Sequence, residues 1–144
     1  MPSTAIARFR ETIGEAQYAR LLIRLGEVNR DIRARGIRQF NNRVDLLTGY
    51  SYDEFYDWDL YFENLYLSYF GVSRYCRNNI ETFLKQQLSC GFVGRSLINP
   101  RMRQHFKPFL SQIALLGSRQ TGRFDWLVPR YYERLRSYLD YWFW

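Results

Sequence analysis

Residues 49–63 are Gly49-Tyr50-Ser51-Tyr52-Asp53-Glu54-Phe55-Tyr56-Asp57-Trp58-Asp59-Leu60-Tyr61-Phe62-Glu63. Five carboxylates and seven aromatic rings fall in these fifteen residues, in a chain that is otherwise basic. Ionised carboxylates accept hydrogen bonds from sugar hydroxyls, and a Trp or Tyr face covers the apolar side of a sugar ring. The same mixture also occurs where a strongly amphipathic helix begins. The stretch therefore predicts either a carbohydrate-binding wall or a helix start and nothing more.

The composition is that of one folded domain. Hydrophobic residues make up 47% of the 144 residues, which excludes a disordered chain and suffices for a single core. No apolar run approaches ~18 residues, and the first residues lack the pattern of a secretory signal. Two cysteines, one histidine and no CxxC motif argue against a disulfide framework or a structural zinc site. We expect a cytoplasmic protein with no membrane span, no metal and no cofactor.

The net charge of +7 comes almost entirely from arginine, with 19 Arg and two Lys. An Arg-rich chain with many aromatic residues could bind nucleic acid, with Arg on phosphates and rings stacked on bases. Arginine is also the preferred cation for ion pairs within a protein. We favour ion pairs and expect no nucleic-acid partner, and we keep a helical nucleic-acid-binding or interaction module as the alternative.

The hydrophobic periodicity predicts helices almost throughout. A first helical region has apolar residues three and four apart, is divided near Gly14 and ends at Gly36. Its stripes are Ile6, Phe9 and Ile13, then Tyr18, Leu21, Leu25, Val28 and Ile32. Residues 37–54 are polar and rich in turn residues, so we expect a loop with short ordered pieces there. No segment alternates convincingly with a period of two, so little or no sheet is expected.

Two helices are predicted to follow as a hairpin. The first runs from about Phe55 to Phe70 and the second from about Ser73 to Ser89, with Gly71 and Gly91 at their ends. The expected inward residues of the first helix are Phe55, Trp58, Phe62, Leu65 and Tyr69. Those of the second are Cys76, Ile80, Phe83 and Leu84. The short link requires the two helices to be antiparallel.

A basic loop is expected over residues 91–107, before two further helices. Pro108 and Pro129 suit the first turns of these helices, and Gly117 is expected to end the earlier one. The expected inward residues are Phe109, Ile113 and Leu116, then Val128, Tyr131, Leu135, Leu139 and Trp142. The chain stops at Tyr141-Trp142-Phe143-Trp144, within an apolar stripe. These rings could dock on the chain's own core or on a membrane surface, or the chain could be truncated. We favour a truncated chain, in which exposed aromatic rings would allow self-association.

Tyr50 to Phe62 (YSYDEFYDWDLYF), followed by Leu67-Ser68-Tyr69-Phe70-Gly71, resembles a family of inverting glycoside hydrolases, the trehalase-like and glucosidase-I-like enzymes. The closest branch is the mannosylglycerate and glucosylglycerate hydrolases. Arg101 to Pro108 is similar to the loop that opens the next inward helix, although Lys107-Pro108-Phe109 stands where many relatives have Gln-Pro-Pro. The resemblance covers about residues 40–144 and is specific mainly in 50–71.

The resemblance implies an all-α fold, in which helical hairpins form part of an (α/α)6 toroid, over residues 1–144 as a partial catalytic domain. It implies that the chain binds the non-reducing sugar of an α-glycoside with a small polar aglycone. By match to the Trp-Asp element, Trp58 would stack on or flank the sugar and Asp59 would bind its hydroxyls. Tyr52 and Tyr56 would belong to the same wall. The neighbouring loop would contribute Arg95, His105 and Lys107.

The resemblance places both catalytic carboxylates beyond this chain, so we assign no catalytic residue and expect no hydrolysis by the chain alone. Asp57 and Asp59 cannot be the pair that flanks the bond. Residues two apart on a helix diverge by ~200°, whereas the family's acid and base must face the same bond. Asp57 is instead expected to pair with an Arg. Structural roles are the alternatives elsewhere: core packing for Trp58, capping or an ion pair for Asp59, and a loop hydrogen bond for His105.

Overall fold

The computed structural model describes residues 4–41, 44–47, 54–103 and 107–143, and these residues are mostly helical. Within them lie six α-helices, one short π-helix and two strands. The helices are α1 (Thr4–Ile13), α2 (Glu15–Asp31), α3 (Asp57–Ser68), α4 (Arg74–Lys85), α5 (Phe109–Thr121) and α6 (Tyr132–Phe143). The strands are β1 (Ile37–Phe40) and β2 (Val44–Leu47), and the π-helix spans Ile32–Gly36. No helix in this part of the chain is both long and apolar enough to cross a membrane.

The N-terminal helices follow the prediction. Gly14, with a φ of 78°, separates α1 from α2, and the helical region ends at Gly36 after the π-helical segment. Tyr18, Leu21 and Leu25 are only half-buried, whereas Ile32 belongs to the core. This region is anchored to the rest of the fold where the hydroxyl of Tyr66 donates a hydrogen bond to the carbonyl oxygen of Leu25.

Two paired β-strands lie in the first part of the region predicted to be a loop. Strands β1 and β2 are antiparallel, with Ile37 opposite Leu47 and Phe40 opposite Val44. Leu46 and Leu47 are both fully buried, and Asn78 of α4 donates a hydrogen bond to the carbonyl oxygen of Asp45. Short ordered pieces were expected here, but their strand pairing was not, because four residues are too few for a period-two pattern to stand out.

The inward face of α3 differs from the predicted one. Its buried residues are Asp57, Leu60, Glu63, Asn64 and Leu67, whereas Phe62 is 49% exposed and Tyr69 is 82% exposed. The side chains of Asn64 and Cys76 explain part of this choice, since the Cys76 thiol donates to Asn64 Oδ1 at 3.3 Å. Asn64 also donates to the carbonyl oxygen of Leu60 at 2.7 Å. Satisfied polar groups are therefore accommodated at the contact with α4.

Helix α5 packs against both α3 and α4. All four residues predicted to face inward on α4 are buried. Gly117 does not end α5 as predicted. It lies inside the helix, where a Cβ atom would come 2.6 Å from Cβ of Cys76, and the helix ends instead at Gly122 with a φ of 67°. Gly117 is thus a point of close approach between α4 and α5.

The segment between α4 and α5 lacks regular helix or strand where it is described, as expected, but it is not a surface loop. Phe92, Val93 and Leu97 are almost completely buried. A Cβ atom on Gly91 would lie 2.2 Å from the carbonyl oxygen of Ser137, and one on Gly94 would lie 2.1 Å from that of Pro100. The glycines let this segment pass directly against α6 and against itself.

Helix α6 begins three residues after Pro129, and its buried residues are Leu135 and Tyr138. Val128 is 62% exposed, so its predicted place in the core was wrong, and Tyr131 is the first buried residue of the stripe. Near the end of the chain, the rings of Tyr141 and Trp142 lie 5.3 and 5.8 Å from the ring of Phe92. Phe143 is exposed, and Trp144 lies outside the described residues.

Candidate functional site

The candidate site forms where the start of α3 meets the segment between α4 and α5. Tyr56 and Ser96 form an antiparallel bridge, and the N–H of Asp57 donates to the carbonyl oxygen of Arg95 at 2.9 Å. On the other side of the bridge, the N–H of Leu97 donates to the carbonyl oxygen of Phe55 at 3.3 Å. These two backbone hydrogen bonds make up the bridge and hold Tyr56 and Asp57 beside Arg95.

Asp57 and Arg95 form a buried ion pair across this junction. Arg95 Nε lies 3.3 Å from Asp57 Oδ1, and the two side chains are 11% and 3% exposed. The same carboxylate oxygen accepts a hydrogen bond from the N–H of Trp58 at 2.8 Å. Burial raises the pKa of Asp57 to about 6, and this effect outweighs the opposing influence of Arg95. The expected pairing of Asp57 with an arginine is confirmed.

The half-buried ring of Trp58 lies between cations and a second aromatic ring. Lys107 Nζ lies 4.1 Å from the ring centroid, and the guanidinium carbon of Arg95 lies 5.9 Å from it. The ring of Phe109, the first residue of α5, is 5.8 Å away and tilted by 44°. Cations close to an aromatic face are attracted to its negative quadrupole. Trp58 is thus the point where three segments of the chain converge.

Tyr138 of α6 completes the floor of the site. Its hydroxyl donates a hydrogen bond to the carbonyl oxygen of Lys107 at 3.2 Å, and the side chain is almost fully buried. Burial raises the pKa of Tyr138, and the negative charge of Asp57 raises it further. Tyr138 therefore remains a neutral hydrogen-bond donor that fixes the backbone at Lys107.

The structure brings together four of the seven predicted site residues, namely Tyr56, Trp58, Arg95 and Lys107. Asp59 lies one residue further along the first turn of α3 and is half-buried, and its charge contributes to raising the pKa of Asp57. Tyr52 and His105 lie outside the described residues. Both Asp57 and Asp59 lie at a helix N-terminus, where the helix dipole favours negative charge.

Sequence reasoning missed the structural roles of Phe109 and Tyr138. Phe109 was expected in the core, and Tyr138 was not singled out, although its spacing from Leu135 and Tyr131 is helical. No local pattern indicates that these two residues approach Asp57 and Trp58, because the contacts join positions 31 or more residues apart. The pairing of Asp57 with Arg95 in particular depends on the path of the segment between α4 and α5.

The described residues of the site can bind polar groups but present no acid–base pair. Asp57 is committed to Arg95 and to the start of α3, so it is poorly placed to take a proton from a substrate. Over the described residues, no group of three or more His, Cys, Asp or Glu side chains could hold a metal ion. Among the described residues, the site offers the ring of Trp58, two cations and the carboxylate of Asp59.

Most of the arginine ion pairs in the described structure are local and exposed. They are Arg10–Glu15, Arg24–Glu27, Arg35–Asp31, Arg77–Glu81, Arg123–Asp125 and Arg136–Glu133. This agrees with the preferred explanation of the arginine content. Exposed pairs of this kind contribute little to stability, typically ~0–1 kcal/mol each.

In comparisons with known proteins, no family model matches the chain, and neither a curated protein nor a solved structure shows significant similarity to it.

Proposed function

We propose that this chain binds the sugar ring of an α-glycoside at the wall formed by Tyr56, Trp58, Asp59, Arg95 and Lys107. The observation that carries the proposal is the position of Trp58. Its half-exposed ring lies where α3, α5 and the segment between α4 and α5 meet, with Lys107 and Arg95 of that segment beside it. Aromatic rings with a few convergent polar groups are the usual composition of a small-molecule site.

Asp59 supplies the acceptor that sugar hydroxyls require. It follows Trp58 directly and therefore lies about 100° around α3 from it. A ligand over one edge of Trp58 can reach Asp59 on one side and Lys107 on the other. Lys107 is exposed and has a flexible stem, so its ammonium can leave the ring and donate to a hydroxyl when the sugar arrives.

We further propose that the chain is part of an (α/α)6 toroid of the trehalase-like and glucosidase-I-like type. Two features support this. Helices α3 and α4 form a hairpin about residues 69–73, and α5 packs on both of them. The candidate site lies where the N-terminal ends of α3 and α5 meet the connecting loop.

The proposed parent activity is inverting hydrolysis of a glycoside such as glucosylglycerate or mannosylglycerate. Such a reaction requires two carboxyl groups ~6.5–9.5 Å apart on opposite sides of the bond. Asp57 is engaged in an ion pair with Arg95, so among the described residues of the wall we assign no acid–base pair. We therefore assign binding to this chain and no hydrolysis.

A titration tests the proposal. Glucosylglycerate, mannosylglycerate and trehalose are added to the 144-residue chain, and the amide and indole signals are followed by ¹⁵N-resolved NMR. We expect saturable shifts at Trp58 and Asp59 with at least one ligand. Asp59→Asn should weaken binding about tenfold, since a charged acceptor contributes ~1.5–3 kcal/mol to a hydrogen bond. Trp126→Phe, at the other end of the helices, is the matched control.

Two outcomes would contradict the proposal. Either none of the three glycosides gives a saturable shift, or Asp59→Asn and Trp58→Phe bind as well as the unmodified chain while remaining folded. Release of free glucose or mannose by the chain alone would contradict the assignment of binding without catalysis. Nucleic-acid binding is the alternative, and it predicts a steeply salt-dependent affinity for single strands.

A further inference from the structure

A cavity of about 280 Å³ lies at the far end of the helices, away from Trp58. Its wall includes the start of α4, the end of α5 and the turn that follows, which contribute Ser73, Arg74, Arg77, Thr121, Arg123 and Trp126. A neighbouring cavity of about 460 Å³ shares Ser73 and Arg74 with it and adds Arg33. The volume is near the lower limit of ~300–1,000 Å³ for small-molecule sites, so only a small ligand would fit.

This cavity is separate from the candidate sugar site. Helix α3 begins beside Trp58 and ends at Ser68, whose carbonyl oxygen accepts a hydrogen bond from Gln120 near the end of α5. The 12 residues of α3 span ~18 Å at 1.5 Å per residue. The two sites can therefore be occupied and tested independently.

Three arginines line this cavity. They are Arg74, Arg77 and Arg123, and Arg77 and Arg123 are near enough to repel each other. Three carboxylates lie close by, and one of them, Asp45, acts on Arg74 through its charge. Arg77 Nε lies 2.7 Å from Glu81, and Arg123 is bound by Asp125 through Nε and Nη2. The Nη groups of Arg77 and Nη1 of Arg123 remain as further donors, because these ion pairs use other nitrogens.

The cavity also has a fixed aromatic wall. The indole N–H of Trp126 donates to the hydroxyl of the fully buried Ser118 at 3.0 Å, which holds the ring in place. The guanidinium carbon of Arg77 lies 5.9 Å from the Trp126 ring centroid. A ligand here meets a flat apolar surface beside a cluster of guanidinium groups.

We propose that this cavity binds a small phosphate monoester, with the phosphate group between Arg77 and Arg123 and the organic group against Trp126. Guanidinium groups match the geometry of phosphate oxygens, and a dianion between two arginines replaces their repulsion by attraction. Ser73 and Arg74, at the start of α4, line the same cavity, and a helix N-terminus favours an anion. A carboxylate has fewer acceptor oxygens and less charge, so phosphate is the better match.

The test uses phenyl phosphate and inorganic phosphate as probes, at constant ionic strength, with the 144-residue chain. By ¹⁵N-resolved NMR we expect saturable shifts at Ser73, Arg74 and the indole N–H of Trp126, and none at Trp58. Phenyl phosphate should bind more tightly than inorganic phosphate because it also contacts the ring. Arg77→Gln and Arg123→Gln should each weaken phenyl phosphate binding about tenfold. Both residues are exposed, so circular dichroism should show unchanged helix content.

Arg136→Gln is the matched control, since Arg136 is exposed and paired with Glu133 on α6. The proposal is overturned if the shifts do not saturate, or if Arg136→Gln weakens binding as much as Arg77→Gln does. A short oligothymidylate is added in a parallel titration. If it binds more tightly than phenyl phosphate, and if Arg136→Gln lowers that affinity too, the surface is a diffuse nucleic-acid contact and the monoester site is refuted.

Discussion

Asp57 and Arg95 are joined twice, by a backbone hydrogen bond of 2.9 Å and by a side-chain ion pair of 3.3 Å. The backbone bond aligns the start of α3 with the loop, and the ion pair fills the space behind it with two buried charges. Removing two charges from water costs several kcal/mol per ion, so such a pair need not stabilise the fold overall. Its loss on one side, however, leaves the remaining charge uncompensated.

The first prediction concerns the loss of one partner of this ion pair. Arg95→Met should destabilise the protein by about 3–5 kcal/mol, because the Asp57 carboxylate is left buried without its partner. The double variant Asp57→Asn with Arg95→Met should recover much of this loss. Urea unfolding followed by circular dichroism gives the free energies. Arg136→Met, which removes an exposed pair, should cost no more than ~1 kcal/mol. If Arg95→Met and Arg136→Met lowered the free energy of unfolding equally, the Asp57–Arg95 pair would contribute no more to stability than a surface ion pair.

The second prediction concerns pH. The pKa of Asp57 is raised to about 6 in the folded chain by burial, from an ordinary value of 3.8. Between these two values the unfolded chain loses its proton first, so ionisation of Asp57 favours unfolding. The contribution of Asp57 to stability should fall by about 2–3 kcal/mol as the pH rises from 4 to 7. Below about pH 4 it should be constant.

Asp57→Asn isolates this contribution, because asparagine does not titrate. The difference in unfolding free energy between the unmodified chain and Asp57→Asn should decrease from pH 4 to pH 7. A difference that instead increases with pH would mean that Arg95 depresses the pKa of Asp57 more strongly than burial raises it.

The third prediction compares two glycines. Gly117→Ala should destabilise the protein by about 1–3 kcal/mol, since the new methyl group would lie 2.6 Å from Cβ of Cys76 and would force α4 and α5 apart. Gly26 lies inside α2, and a Cβ atom there would contact nothing within 4 Å apart from the backbone of its own helix. Gly26→Ala should therefore stabilise the protein by about 0.5–1 kcal/mol, because alanine favours the helix over glycine. Thermal unfolding of both variants checks the opposite signs. A neutral Gly117→Ala would show that the helices are less closely packed.

The fourth prediction concerns the two thiols. Cys90 is exposed, whereas Cys76 is buried and its pKa is raised to about 12 by burial. A thiol reagent at pH 8 should therefore label one cysteine rapidly in the native protein and the second only on unfolding. In Cys90→Ser the rapid phase should disappear. Two rapid phases in the unmodified chain would show that α4 and α5 separate readily.

Local sequence patterns predicted the positions of the helices well. The break at Gly14, the end at Gly36 and the four buried residues of α4 all follow from spacing and from turn residues. Helix α3 shows why the inward face was harder to predict. Apolar residues occur all around it, so periodicity alone could not choose between Phe62 and Leu60. The choice depends on the neighbouring helices, where Asn64 finds the thiol of Cys76.

The sequence singled out residues of the candidate site, but it did not predict which of them contact one another. Trp58 and Asp59 stand out in the sequence because carboxylates and rings are adjacent there. Arg95 and Lys107 were singled out only through the resemblance, and their contacts with Trp58 depend on the course of an irregular segment. Gly117 was misassigned because a glycine near a helix end has two physical explanations, a terminating turn or a close contact between helices.

The segment between α4 and α5 has an implication for how this gene can change. At Gly91 and Gly94 even a methyl group would collide with backbone oxygen atoms, which cannot swing aside as a long side chain can. Every amino-acid substitution reachable from a glycine codon by one nucleotide change introduces a Cβ atom. Missense mutations at these two codons should therefore be removed by selection, whereas a substitution of Gly26 by alanine should be tolerated.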